Sequence, residues 1–262
     1  MQNYGILIDT TMCIACYECE RADAVRWGRS EPTPAHELSA DKNTAVYTIN
    51  DYNLPRQCMH CQDPTCASVC PVGAFKKTAE GPVVYDADKC IGCRYCMQAC
   101  PFDIPKYQWG SVNPKVAKCD MCRERILKGD KPACVAACPT GARMFGPLSE
   151  IIEEAKKRVQ DNPQTYYPQI YGLKDAGGTS IIYLSAKPFD QLGLHTNLPQ
   201  EAMPNLTWAV MSKIPNYVGW MGTLLGGVWW ITNRRKEVRD FERKLHDMEK
   251  RNPSSRSTVD KN

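Results

Sequence analysis

The chain is poor in the residue most enzymes use for acid–base work: it has four histidines, His36, His60, His195 and His246, none with a Glu or Cys at a zincin or hydrolase spacing. No glycine-rich phosphate loop follows a strand, so no nucleotide or flavin site is indicated. The amino terminus, MQNYGILIDTTMC, carries no secretory leader. An excess of one charge sign is missing from the body: residues 1 to 233 hold 23 Lys/Arg and 23 Asp/Glu, and the formal net charge of +4 comes from residues 234 to 262, with ten against six. A nucleic-acid binder carries its basic excess on the folded domain, so that function is excluded. With 43% hydrophobic and 24% charged residues the chain is neither disordered, collagen-like nor a polytopic membrane protein.

What is abundant is cysteine. There are fifteen, an odd count in a chain long for a disulfide scaffold, which weighs against disulfides. They fall into four runs. Cys90, Cys93, Cys96 and Cys100 precede Pro101 as C-x2-C-x2-C-x3-C-P. Cys58, Cys61, Cys66, Cys70 and Pro71 widen the middle gap to four residues, and Cys119, Cys122, Cys134, Cys138 and Pro139 widen it to eleven. The first run, Cys13, Cys16 and Cys19, has Asp23 where the last cysteine belongs. Three thiolates two residues apart let a short loop wrap three corners of an iron–sulfur cubane, and the cysteine of the C-P pair ligates a different cluster. Structural zinc, the competing reading of paired C-x2-C, has no need of the third cysteine and the C-P.

At this point the chain resembles a known family, the four-cluster ferredoxin-like electron-transfer subunits of membrane oxidoreductases. CIACYEC, QCMHCQDPTCASVCPVGA, KCIGCRYCMQACPFDIPKY and KCDMCRERILKGDKPACVAACPTGA carry the resemblance. YYPQIYGLKDAGGTSIIYLSAKP followed by one hydrophobic segment is similar to the formate dehydrogenase and nickel–iron hydrogenase branches, whereas the dimethyl sulfoxide reductase branch usually lacks that segment. The resemblance implies an α+β fold of two interleaved ferredoxin-like dicluster units with long loops, then a single C-terminal transmembrane helix. It implies four clusters: Cys13, Cys16 and Cys19 with Cys138; Cys58, Cys61 and Cys66 with Cys100; Cys90, Cys93 and Cys96 with Cys70; and Cys119, Cys122 and Cys134 with Asp23. The first three are 4Fe-4S with all-cysteine ligation. A carboxylate is a harder ligand than a thiolate, so the last is an Asp-ligated 4Fe-4S centre or a 3Fe-4S centre, unless Asp23 faces solvent. The implied role is a non-catalytic wire between a molybdenum or tungsten subunit acting on formate, or a hydrogenase, and a membrane cytochrome b or quinone-reactive subunit. A soluble polyferredoxin carrier is the reading of a different class.

The expected parts are the cluster domain at residues 1–146, a helix and strand extension at 147–205, a transmembrane helix at 206–233 and a basic cytoplasmic tail at 234–262. Residues 214 to 232 hold nineteen uncharged residues, about 28 Å of helix at ~1.5 Å per residue, with Gly219, Gly222, Gly226 and Gly227 suited to helix packing and Trp229 and Trp230 at an interface belt. Pro215 and Asn216 weaken its start, and a buried soluble helix is the alternative. Arg234, Arg235, Lys236, Arg239, Arg243 and Lys244 put the carboxyl side in the cytoplasm by the positive-inside rule. The cluster domain then lies on the outer face of a bacterial inner membrane, exported with a partner that carries the leader.

Within the body, Tyr4–Asp9 and 81–86 read as strands, 20–29 and 147–160 as helices, the second capped by Ser149, and 31–55 as a connecting insertion. Gly177-Gly178 turns into a strand at 180–184. His60 reads as a packing or hydrogen-bonding residue, and Tyr95, Phe102, Tyr107 and Trp109 as core that shields a cluster. Residues 234 to 251 read as a solvated helix and 252 to 262 as a frayed end.

Overall fold

The computed structural model describes residues 2–29, 36–112 and 114–251. Its first strand, β1 (Tyr4–Asp9), is buried from Gly5 onward and lies at the centre of a three-stranded sheet in the order β8-β1-β9. β8 (Arg143–Pro147) pairs with it antiparallel, from Tyr4 opposite Pro147 to Ile8 opposite Arg143, and β9 (Ile181–Leu184) pairs parallel, from Ile6 opposite Ile181 to Asp9 opposite Leu184. A central strand covered on both faces explains the continuous apolar run GILI in place of an alternating one. Leu7, Ile182 and Leu184 point to one face and pack on Ile151 and Ala155 of α6 (Leu148–Asp161). Ile6, Ile8, Ile181 and Tyr183 point to the other, where the main core gathers Leu54, Met121, Tyr171 and Phe189 among the cysteine loops. The strand at 181–184 therefore completes the sheet begun by residues 4–9.

The strand at 81–86 is observed as β5 (Val83–Tyr85), paired with β4 (Phe75–Lys77), and a second short ribbon joins β6 (Lys106–Tyr107) to β7 (Val116–Ala117). The helix at 20–29 is α1 (Glu18–Arg26). α6 begins at the residue after Pro147 and has no side-chain cap from Ser149; Leu148 N–H instead donates to the Asn3 carbonyl at 2.8 Å. Proline's fixed φ near the helical value lets the chain pass directly from β8 into the helix.

The insertion is more ordered than its composition suggests. β2 (Ala45–Ile49) and β3 (Tyr52–Arg56) form a hairpin whose two-residue loop, Asn50-Asp51, has φ of 49° and 63° at its two positions. Those signs match a type I′ turn, the geometry that fits strand twist, and Asn and Asp tolerate it. Pro55 is accommodated because a two-stranded ribbon has only edge strands. Residues 31–35 of the insertion and 252–262 of the expected frayed end lie outside the described residues.

The chain divides into two compact units, residues 1–207 and a second starting at Trp208. The second contains α8 (Ile214–Arg251), which follows α7 (Met203–Met211), so the uncharged stretch and the tail as far as Arg251 are one uninterrupted helix rather than separate segments. Among the described residues no helix is long and apolar enough to cross a membrane. The expected transmembrane helix at 206–233 is thus not borne out by hydropathy. Its four glycines, four tryptophans, Pro215, Asn216 and Tyr217 keep its mean hydropathy low. Within it Val218, Leu224, Leu225 and Trp229 are exposed.

Candidate iron–sulfur sites

One backbone device recurs in all four cysteine runs. The residue two places after the first cysteine, Ala15, His60, Gly92 or Met121, has a φ between 48° and 71°. A left-handed residue there folds the loop back toward the sulfurs, and three of the four positions adopt it without glycine's freedom. Backbone N–H groups accordingly point at sulfur: Gly92 to Cys90 at 3.4 Å, Met121 to Cys119 at 3.2 Å, and Ala133 to Cys122 at 3.4 Å. At Gly92 the reason for glycine is steric, because a Cβ there would stand 2.8 Å from the Tyr107 hydroxyl.

The third cysteine of each run is the second residue of a helix: Cys19 in α1, Cys66 in α2 (Thr65–Ser68), Cys96 in α3 (Tyr95–Gln98) and Cys134 in α5 (Ala133–Ala136). Another short helix, α4 (Arg123–Leu127), fills the wide gap of the last run. Four residues on from each third cysteine stands Asp23, Cys70, Cys100 or Cys138. The three C-P turns then close on Gly73, Asp103 and Gly141, each three residues past its cysteine and each with φ between 54° and 67°. α1 alone continues past this point, so Asp23 remains on a helix.

Thiols from different runs lie close enough to influence one another. Cys13 has Cys19 and Cys138 as neighbours, and Cys13, Cys16, Cys19 and Cys138 line one cavity. Cys61 faces Cys58, Cys100 and Cys66; Cys96 faces Cys90, Cys93 and Cys70. Cys119 faces Cys134, Asp23 and Cys122. Asp23 is buried, accepts a hydrogen bond from Asn43 N–H at 3.2 Å and lies within the fields of Arg29 and Arg26. It does not face solvent. Among the described residues no three His, Cys, Asp or Glu side chains converge on a single ion. Three cysteines per loop, followed in three of the four runs by a C-P, with backbone N–H groups turned to sulfur, fit an iron–sulfur cluster better than mononuclear zinc.

Without metal these thiols resist ionisation. Burial pushes Cys66 and Cys134 up to about 12 and Cys96 and Cys100 up to about 11, with neighbouring thiols adding to the rise. Cys138 goes the other way: burial works upward, but the Thr140 hydroxyl and the backbone N–H groups of Arg143, Thr140 and Ala142 bring it below the ordinary value. Metal binding must therefore displace protons from most of the set.

Two buried cations were not singled out by the sequence. Arg143 lies beside Cys19, Cys134 and Cys13 and donates to Gln57, whose Oε1 also faces the Cys134 sulfur at 3.9 Å. Lys118 donates to the Val83 and Cys119 carbonyls. His60 has the expected packing role: its Nδ1 accepts from Val83 N–H at 2.9 Å, and burial, with Lys118 and Lys77 nearby, holds it well below its usual pKa and hence neutral. The aromatic expectation is corrected in part. Phe102 is core and Tyr107 half-buried, but Tyr95 and Trp109 are exposed at 59% and 67%. The Arg94 guanidinium lies over Trp109, 5.0 Å from its ring centre.

Residues 49–148 match the family model for a 4Fe-4S dicluster domain. Over 92% of this chain and 89% of the relative, the sequence is 31% identical to the iron-sulfur subunit of nitrate-inducible formate dehydrogenase from Escherichia coli K12. It is 36% identical to the hydrogenase-2 operon protein HybA of Escherichia coli O157:H7 over 72% of each chain. It is 38% identical to the B subunit of anaerobic dimethyl sulfoxide reductase from Escherichia coli K12, over 56% of this chain and 75% of that subunit. With cysteine loops built for iron–sulfur clusters and relatives of this kind along nearly its whole length, the chain belongs to the family of iron–sulfur electron-transfer subunits of membrane oxidoreductases.

Proposed function

We propose that the protein is a non-catalytic wire that holds four iron–sulfur clusters and relays single electrons between a catalytic subunit and a membrane cytochrome b or quinone-reactive subunit. The ligand sets are Cys13, Cys16, Cys19 and Cys138; Cys119, Cys122, Cys134 and Asp23; Cys58, Cys61, Cys66 and Cys100; and Cys90, Cys93, Cys96 and Cys70. Carrying this reading is the way the sets adjoin in that order: Cys134 has Cys19 among its neighbours, Lys118 faces both Cys119 and Cys58, and Cys66 has Cys96. When bound, the clusters supply one-electron redox chemistry. The protein's residues fix their spacing, exclude water and set their potentials through ligand type, hydrogen bonds and burial.

The catalytic partner is a formate-oxidising molybdenum or tungsten enzyme, supported by the formate dehydrogenase subunit's alignment over more of both chains than HybA's. A hydrogenase partner is the second reading, favoured by the higher identity to HybA. Residues 214–232 dock against helices of the membrane partner, where their exposed tryptophans and glycines find the apolar contacts that their own hydropathy lacks. The basic tail is cytoplasmic and the cluster unit faces outward.

Iron analysis and EPR of the isolated full chain test the reading. Four clusters' worth of iron supports it, and a colourless, iron-free preparation overturns it. In the oxidised protein a 3Fe-4S signal that disappears in Asp23→Cys supports Asp23 as the fourth ligand; an unchanged spectrum removes it. Membranes that retain the chain until detergent is added support docking, whereas release by salt alone supports a free-standing polyferredoxin carrier.

A further inference from the structure

Lys118 is 6% exposed, yet it carries a cation. Its Nζ donates to two carbonyls, Val83 O at 2.5 Å and Cys119 O at 2.6 Å. Among the described residues no carboxylate is hydrogen-bonded to it. The one whose field reaches it, Asp120, is committed elsewhere, one oxygen to Arg26 Nη2 at 2.6 Å and the other to Cys122 N–H at 2.9 Å. Its other near partners are the sulfurs of Cys58, Cys66 and Cys119. A buried ammonium without a counter-charge costs several kcal/mol, so something anionic must face it.

The position adds a second point. Cys119 belongs to the outer pair of cysteine runs, and Cys58 and Cys66 to the inner pair. Lys118 thus stands where the two halves of the cluster domain meet: one acceptor is the carbonyl of Cys119 in the outer pair, and the other is that of Val83, whose N–H donates to His60 Nδ1 within the Cys58–Cys61 loop of the inner pair. A second buried cation beside the thiols, Arg143, lies inside the outer half, next to Cys19 and Cys134. Lys77 has sulfurs of the inner half only among its neighbours: its Nζ donates to His60 O at 2.9 Å and Ser180 Oγ at 3.2 Å, with Cys61 and Cys58 nearby.

We infer that Lys118 is a charge-tuning residue shared by the two middle clusters, raising the reduction potential of both and so holding the central step of the wire favourable to electron entry. The inference rests on the four-cluster reading above. Reduction adds one electron, and hence one negative charge, to a cluster already anionic through its thiolates; no bond forms or breaks. A fixed cation against both ligand sets stabilises each reduced form more than its oxidised form. The low local dielectric keeps that difference large.

An EPR-monitored redox titration of the full chain in its membrane complex tests this, comparing Lys118→Gln with Lys118→Arg. Glutamine keeps an N–H donor for the Val83 and Cys119 carbonyls but removes the charge; arginine keeps the charge. In Lys118→Gln two of the four clusters are expected to titrate at lower potential. At a fixed potential near their midpoints, their reduced-to-oxidised ratio should fall about tenfold, equivalent to about 59 mV for one electron. Lys118→Arg should stay close to the parent. Two clusters that assemble only in the arginine variant would report the same demand for charge. Unmoved potentials in a fully iron-loaded Lys118→Gln, an equal shift in both variants, or loss of the clusters from both would overturn the inference. An absence of iron from the parent protein would instead overturn the cluster reading itself.

Discussion

The two halves of the cluster domain solve one ligand problem with unequal amounts of protein. The half built from the first and last cysteine runs is wrapped by the three-stranded sheet, the β2–β3 hairpin and the main core, and Cys19, Cys119, Cys122 and Cys134 are all buried. The half built from the middle runs enters that core through Cys58, Met59, Phe102 and Ile104, but its remainder has two short ribbons and a small cluster of Ala74, Phe75, Val83, Cys96 and Val116, and Cys93 is exposed. Near-identical loops therefore sit in very different surroundings. The loop motif specifies ligation, while the rest of the chain decides solvent access, and with it potential and durability.

The comparison breaks most readily at Glu20. This fully buried carboxylate of α1 accepts from Lys42 Nζ at 3.1 Å, Val46 N–H at 2.6 Å and His36 Nδ1 at 3.2 Å, fastening the hairpin insertion to the outer half. Removing one partner of a buried pair costs about 3–5 kcal/mol, so Glu20→Ala should lower the melting temperature of the iron-loaded chain and expose the outer clusters to bleaching. A melting curve within about 1 kcal/mol of the parent would mean the insertion is not what shields that half. A smaller effect should appear when the unmodified protein is treated anaerobically with an iron chelator. The set containing exposed Cys93 should lose its EPR signal first and the set containing Cys119, Cys122 and Cys134 last; the reverse order would show that burial does not govern durability here. The smallest effect is expected at Lys89. It precedes Cys90 as Lys118 precedes Cys119, but its side chain is 60% exposed and paired with Asp86 at 3.0 Å. Lys89→Gln should leave every cluster potential in place, because solvent screens the charge.

That pair of lysines also marks how far the sequence could be read. The cysteine runs were legible because ligation fixes residue type and spacing, and β1 and α6 because their apolar patterns are strong. Both lysines occur as Lys-Cys, and nothing local separates the buried one from the exposed one; only the packing of Val83 and Cys119 around Lys118 does. Tyr95 and Trp109 failed for the same reason, since an aromatic beside a cluster loop reads as core whichever side of the loop faces water. The β2–β3 hairpin was hidden differently. Pro55 and Asn53 make poor strand residues, and the Asn50-Asp51 turn carried a signal that the surrounding Pro and Thr content obscured. For α8, the count of uncharged residues was right, but counting charges ignores how little apolar surface glycine and proline provide.

The parallel pairing of β1 with β9 has a consequence for how the chain is made. Residues 6–9 cannot acquire their neighbours at 181–184 until synthesis has passed the last cysteine, Cys138, by 46 residues, the distance from 138 to 184. At ~5–20 residues per second that interval is about two to nine seconds. Throughout it every cysteine is already part of the chain while the sheet that backs the outer half is still open along one edge. Pairing across so long a separation is also slow once it becomes possible. The order of synthesis thus leaves the sites accessible to iron delivery before the fold closes over them.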